Sequence, residues 1–488
     1  MTPMPHFKRN ARRVLPSALL ALAGLAACNQ DKLLSAPTPD VVLPKDVTNA
    51  AALPNAYAAS LGDFQLAFSG GSGGGSATNE GLVIMSGMLG DELMNAETFT
   101  TRLEVDRRAT NPVNGTMLNI FQNAQRARAT AELVTSRYAQ YDPANPQRAE
   151  VQSLAAFMYI LFAEDYCNGV PQSHVADDGT FVYGAGQTGI QLLNNAVAKY
   201  DSAITVATAA GAGGTAALNL ARVGKARALL DLATPATLAA QSAAAAAVVA
   251  AVPTTFLYNI QHDENTSRQY NGVYSFTVTS KRFTVANNEG GNGLPFVTLN
   301  DPRAPVIRTS NGFDGTTPFF RTPKYTSLAP AVYGFLGTSG RGAPVTLASG
   351  VEARLIEAEA ALNANDDVTL LAKLNAARAA AKTYSDATTV PASPAPLTVA
   401  DLGATTVSRQ DLLFRERALD MFLTTHRLGD LRRLIKQYSR AANAVFPTGT
   451  YNPLGAAAGT AYGTDVNLPV PFEEQNNPQY AACLDRAA

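Results

Sequence analysis

Apolar residues recur along this chain at three- and four-residue spacing in long runs, and the runs come in pairs. TMLNIFQNAQRARATAELVTSRYAQ (116–140) and PQRAEVQSLAAFMYILFAEDY (146–166) are separated by YDPAN, a Pro-containing turn. QTGIQLLNNAVAKYDSAITVATAA (187–210) and LNLARVGKARALLDLA (218–233) are separated by the Gly-rich GAGGTAA. An Ala-rich run follows from Thr237, then GVEARLIEAEAALNAN (350–365) and VTLLAKLNAARAAAK (368–382). Amphipathic helices in pairs with short links predict antiparallel hairpins stacked side by side. The expected fold is therefore mainly α, a tetratricopeptide-like scaffold over about 112–250 and 350–440.

Residues 254 to 345 break the pattern. Positions 254–335 hold eight Phe and five Tyr of the chain's 20 and 17, nearly twice the average density, among Gly, Asn, Pro and Thr. YSFTV and KRFTV within them read as short strands. A loop-rich insertion of this length in a helical scaffold points to function, and its aromatics suit stacking on sugar rings as well as a satellite core. Tyr270, Tyr274, Phe283 and Phe313 are the candidate ligand contacts there. Phe99, which follows Asp91-Glu92, is a fifth.

A third pattern is RERALDMFLTTHRLGDLRR (415–433), with eight charges in nineteen residues of a chain that is 16% charged. Leu412, Leu419, Phe422 and Leu423 form one apolar stripe, and Phe414, Ala418, Met421, Leu428, Leu431 and Ile435 another. Two adjoining stripes predict a largely buried helix. Arg417 and Asp420, Arg427 and Asp430, and Asp430 and Arg433 each stand one turn apart. They make either a solvated charged face or a buried ionic network that seats the helix.

Charge changes the picture by exclusion. The 488 residues carry a formal net charge of −1, and the basic cluster stands in the first thirteen residues, so nucleic acid is not an expected partner. That cluster, Lys8, Arg9, Arg12 and Arg13, precedes a short apolar run from Val14 to Ala26. The run is too short for a bilayer and suits a secretory signal peptide, residues 1–27. Leu25-Ala26-Ala27-Cys28 has the form of a bacterial lipobox, which makes Cys28 the expected lipid-bearing first residue of the mature chain. The polar, Pro-containing stretch 28–48 reads as a tether, and 49–488 as one domain. Export leaves Cys167 and Cys483 where thiols oxidise: a disulfide across a very long loop, or two separate buried thiols.

Catalytic motifs are weak. GAGQTG (184–189) matches G-x-G-x-x-G, but an Ala-rich helix follows it and no parallel strand, which reads as a helix-entry loop. Gly70-Gly71-Ser72-Gly73-Gly74 matches G-x-S-x-G inside SGGSGGGSATNE, with no strand-to-helix turn. His174, His262 and His426 stand at no ligand spacing from another His or Cys, so no metal or cofactor is expected. Glu357 and Glu359 are two apart and face differently on a helix, unlike a glycosidase pair.

The 415–433 stretch resembles the C-terminal signature of the SusD/RagB family, ER-x-x-E-x-x-x-E-G-x-R-x-x-D-L-R-R. Glu416, Arg417, Arg427, Asp430, Leu431, Arg432 and Arg433 fall on it. Asp420 stands where Glu is usual, Thr424-Thr425 where Glu-Gly is, and Leu428 where an aromatic is. RAEVQSLAAFMYILFAEDYCNGVPQ, GKARALLDLA, Asn300-Asp301-Pro302-Arg303 with Lys324-Tyr325, GVEARLIEAEA and LPVPFEEQNNPQY resemble further family segments in the family's order. Together they cover most of the chain from about residue 85.

The resemblance implies a loop-rich lobe, about 254–345, on a tetratricopeptide-like scaffold, in a non-catalytic outer-membrane lipoprotein. Such a protein captures glycan or peptide nutrients and delivers them to a TonB-dependent SusC-like barrel. It makes 415–433 structural, with Arg and Asp residues locking the last hairpin. A helical-repeat adaptor or a surface-anchored hydrolase are the competing classes. The chain has no Trp, so any sugar platform must use Tyr, Phe or polar groups.

Overall fold

The computed structural model describes residues 42–72, 80–326, 340–384, 391–452, 455, 458–483 and 485–488. The signal peptide, Cys28, the tether up to residue 41 and part of the Gly-rich 70–74 motif lie outside the described residues.

Helices of seven residues or more supply the scaffold. They are α1 (Leu53–Ser69), α2 (Gly81–Leu89), α3 (Thr100–Asp106), α4 (Gly115–Tyr141), α5 (Pro146–Asp165), α6 (Gly189–Ala209), α7 (Thr215–Asp231) and α8 (Leu238–Val249). After the lobe come α9 (Gly350–Asn363), α10 (Asp367–Ala380), α11 (Thr406–Asp420) and α12 (His426–Lys436). Small polar caps set their starts. Asn114, Asn145, Ser349 and Asp366 accept hydrogen bonds from first-turn amides, and Thr188 makes a capping box with Gln191. Each cap contributes about 1 kcal/mol.

Chain neighbours are also packing neighbours: α4 on α5, α5 on α6, α6 on α7, α7 on α8, and α9 on both α8 and α10. The hairpin stack is as the apolar spacing predicts. Between α6 and α7 the approach is close enough to need glycine, since a Cβ on Gly224 would meet the buried Tyr200 ring at 2.3 Å. The scaffold begins earlier than 112, because α1 packs on α4 and α2 on α1. One core cluster runs from Phe64 to Val470, and a second joins α9, α10 and α11 through Leu355, Leu370, Leu374 and Leu413.

Strands are short and pair antiparallel. They are β1 (Leu93–Asn95), β2 (Val170–Pro171), β3 (His174–Val175), β4 (Phe181–Val182), β5 (Gly186–Gln187), β6 (Leu257–Ile260), β7 (Phe283–Val285), β8 (Ile307–Asn311), β9 (Pro318–Arg321) and β10 (Val345–Ser349). The pairs are β1 with β7, β2 with β5, β3 with β4, β6 with β10, and β8 with β9. The first of these stitches the lobe to the segment after α2, with Leu93 opposite Val285 and Asn95 opposite Phe283.

KRFTV contributes a strand as its alternation predicts, but YSFTV does not. Asn271 caps Gly272–Tyr274 by accepting from the Tyr274 amide, and the chain continues as a π-turn through Thr279. That local cap outweighs the β-branched residues. The G-x-G-x-x-G stretch is a helix entry: Gly186 lies in β5 and Gly189 opens α6. Cys167 and Cys483 form a disulfide with their Cα atoms 5.9 Å apart.

Candidate functional site

The 415–433 stretch is not one helix. It is α11 and α12 with a sharp turn between them, where Leu423 and Thr425 take left-handed φ values of 55° and 72°. Glu416, Arg417, Arg427, Asp430, Arg432 and Arg433 are all buried. Arg417 forks onto Asp430, Nε to Oδ2 at 2.8 Å and Nη2 to Oδ1 at 2.9 Å, and Arg433 Nη1 reaches the same Oδ1 at 3.2 Å. Arg427 forks onto Asp91, at 2.5 and 2.6 Å. Asp91 also accepts the Leu294 amide at 2.7 Å, so one carboxylate joins α2, α12 and the lobe.

Arg303 bridges Asp301, Glu416 at 2.8 Å and Asp420 at 3.2 Å. Arg432 donates to the carbonyls of Ala163 (2.8 Å), Glu164 and Tyr166, closing the C-terminal end of α5. Of the one-turn pairs expected from spacing, only Asp430–Arg433 forms. Arg417, Asp420 and Arg427 instead find partners in other elements, because the turn at 421–425 folds α12 back beside α11.

Burial pushes the Asp430 carboxyl up, but Arg417 and Arg433 outweigh it and hold it below the ordinary range. Asp420 is pushed up to about 6 by burial despite Arg303. Glu92, which accepts the Leu423 amide at 2.8 Å, is pushed up to about 8 by burial. These groups fix architecture. None of the described signature residues faces solvent, so the motif is a seat and not a site.

Solvent-facing aromatic chemistry lies elsewhere. Phe99 precedes α3 in extended conformation, and its carbonyl accepts the Arg102 and Leu103 amides at 3.2 and 3.1 Å. Phe313 sits in the β8–β9 turn. That turn is pinned by Phe313 N to Lys281 O and by Asp314 N to Ala96 O, both 3.0 Å. Gly312 permits the seat, since a Cβ there would meet the Ala96 Cβ at 2.5 Å.

Phe99 and Phe313 are 47% and 54% exposed. Between them stands Arg282, its guanidinium carbon 5.0 Å from the Phe99 ring centre and 4.3 Å from that of Phe313. Arg102 continues the series inward, 5.0 Å from Phe99 and 5.3 Å from buried Phe276. Glu97 holds both arginines, with Arg102 Nη1 on Oε1 at 2.6 Å and Arg282 on Oε2, while Glu80 takes Arg102 Nε. Rings and guanidiniums thus alternate from core to surface, ending in two exposed Phe residues about one cation.

The five candidate aromatics divide. Phe99 and Phe313 converge. Phe283 is fully buried, because its strand position opposite Asn95 turns it into the core, where it packs on Phe276. Tyr274 packs against the main core cluster. Tyr270 is half-buried, with the Arg341 guanidinium 5.0 Å from its ring. Phe283 is therefore a core residue, and Tyr274 is a partly buried one packed against the core. Lys281, Arg282 and Glu97 were not singled out by sequence, although a Lys-Arg pair directly before a short strand was the available signal.

The remaining candidates for chemistry are structural. Glu357 pairs with Lys373 at 2.6 Å, and Glu359 accepts from Tyr438 at 2.8 Å and from Arg433. His426 Nε2 lies 3.0 Å from Glu352 in the core, and His262 Nε2 lies 2.8 Å from the Ser69 hydroxyl.

No protein-family model matches the sequence, and no curated protein matches it. Solved structures match by fold. A SusD-like carbohydrate binding protein of Bacteroides fragilis is 15% identical with a TM-score of 0.63, covering 89% of this chain and 100% of that one. A SusD superfamily protein of Parabacteroides distasonis is 12% identical with a TM-score of 0.61, covering 87% and 98%. A laminarin binding SusD-like protein is 13% identical with a TM-score of 0.56, covering 88% and 98%. At these identities the likeness is one of fold.

Proposed function

We propose that this chain, which has the SusD-like fold, is a non-catalytic surface lipoprotein that captures glycans at the Phe99–Arg282–Phe313 platform. It then delivers them to a TonB-dependent SusC-like barrel of the outer membrane. The observation that carries the reading is the exposed aromatic pair on a SusD-like scaffold. Two rings flanking a guanidinium present apolar faces to a pyranose and donors to its hydroxyls. Two structures of this fold are described as carbohydrate binding and laminarin binding, which favours glycan over peptide as the ligand. Non-catalytic capture agrees with Glu357 and Glu359 being tied into ion pairs and hydrogen bonds of the scaffold. Lipidation at Cys28 and the outer-membrane address rest on the lipobox pattern alone.

The test is affinity capture of the tagged full chain from native outer membranes, with mass spectrometry of what copurifies, beside a glycan panel scored for binding and for turnover. Copurification of a TonB-dependent barrel with binding and no turnover is the expected result. Turnover of any bound glycan contradicts the capture role. Recovery without a barrel, in detergent that preserves other membrane complexes, contradicts delivery.

A further inference from the structure

Beside the platform, two cations converge on one serine. Lys281 Nζ donates to the Ser310 hydroxyl at 2.7 Å, and Arg308 Nη1 donates to the Ser310 carbonyl. Arg308 also reaches Asn311 Oδ1 at 3.1 Å. Among the described residues neither cation has an acidic partner. The acids of this neighbourhood are engaged: Glu97 by Arg102 and Arg282, and Asp314 by the amides of Thr316 and Thr317 at 2.9 Å and the Thr317 hydroxyl at 2.6 Å.

Lys281 adjoins Arg282 in the chain, and its carbonyl accepts the Phe313 amide, so this cation pair is built into the same turn that places the Phe313 ring. Like charges held on one residue repel, and an anion lying between them reverses the sign.

We infer that the platform is selective for acidic glycans, uronic-acid-bearing chains whose carboxylates are taken by Lys281 and Arg308 while the rings stack on Phe99 and Phe313. This rests on the glycan-capture reading and adds the substrate class to it.

The test is calorimetric titration of the full chain with oligogalacturonate and with a neutral laminari-oligosaccharide of matched length, at low and high salt. The same titrations are run on K281Q/R308Q and on F99A/F313A, each checked by thermal melting. The inference expects the acidic chain to bind at least about tenfold tighter at low salt, with the preference shrinking as salt screens it. K281Q/R308Q should abolish the preference and leave neutral binding unchanged, whereas F99A/F313A should weaken both. Equal affinity for the two ligands, or a preference indifferent to K281Q/R308Q, overturns the acidic selectivity and leaves glycan capture standing. Binding of neither ligand overturns the acidic selectivity and sends the capture reading back to the wider glycan panel, and binding indifferent to F99A/F313A overturns the platform as its site.

Discussion

Glu92 shows what a single buried carboxyl does in this protein. It lies beneath the 421–425 turn, with Asp91, Arg427 and Lys324 as charged neighbours, and burial raises its pKa to about 8. Lys324, buried beside it, is lowered to about 8 by the same desolvation. A carboxyl raised in the folded state favours folding while protonated in both states, and that contribution is lost as pH climbs from about 4.5 to about 8. Lys324 acts the other way and at higher pH, gaining stability from about 8 to 10.5. Glu92→Gln keeps the acceptor for the Leu423 amide and removes the titration. It should flatten the fall in stability between pH 5 and 8 and leave the variant more stable than the parent at pH 8, by on the order of 1–3 kcal/mol. Thermal melts of both proteins at the two pH values check this, and parallel pH dependence would refute it.

Among the elements, α12 is folded back beside α11 into one unit by the turn at 421–425. Its seat depends on Arg427 meeting Asp91, both buried. Arg427→Met leaves Asp91 uncompensated and should cost about 3–5 kcal/mol in denaturant unfolding. The double variant with Asp91→Leu should recover part of that loss. In the turn, Thr425 holds φ 72°, where a β-branched residue is disfavoured. Its hydroxyl donates to the Thr424 carbonyl and accepts a longer bond from Arg227 Nη2 at 3.4 Å. Thr425→Gly relieves backbone strain at the cost of both bonds and should raise stability by about 1 kcal/mol, read as a higher Tm. A lower Tm would show that the hydroxyl network decides.

The same unit marks where the sequence was readable. Helices α4 to α10 follow the apolar period because buried positions recur along each at helical spacing, and small polar side chains cap α4, α5, α6, α9 and α10. The break at 421–425 leaves no such trace, since MFLTT contains neither Gly nor Pro and its apolar stripes continue across it. Helix α2 was missed for the opposite reason: all nine residues of GLVIMSGML are buried, so no polar face gives it a period. The aromatics show the limit for sites. Phe283 and Phe313 are alike in sequence, and only strand register sends one inward while a turn sends the other out.

Over the whole molecule, the Cys167–Cys483 disulfide closes a separation of 316 residues and ties the chain's end to the exit of α5. Loop entropy puts its stabilisation at about 6 kcal/mol at most, with 2–5 typical of measured losses. Reduction, or Cys483→Ser, should lower the unfolding midpoint accordingly while the platform, far from it in sequence, keeps its ligand affinity. A midpoint insensitive to reductant would show that the C-terminal segment is held by its other contacts.

On the proposed capture role, this scaffold presents Phe99 and Phe313 to a sugar. The direct measurement is calorimetric titration of the full chain and its F99A/F313A variant with whichever glycan of the panel binds tightest. Capture on these rings requires matching thermal melts and a loss of at least about tenfold in affinity when the two rings are removed. Unchanged affinity in a folded F99A/F313A protein would place the ligand elsewhere and contradict the account.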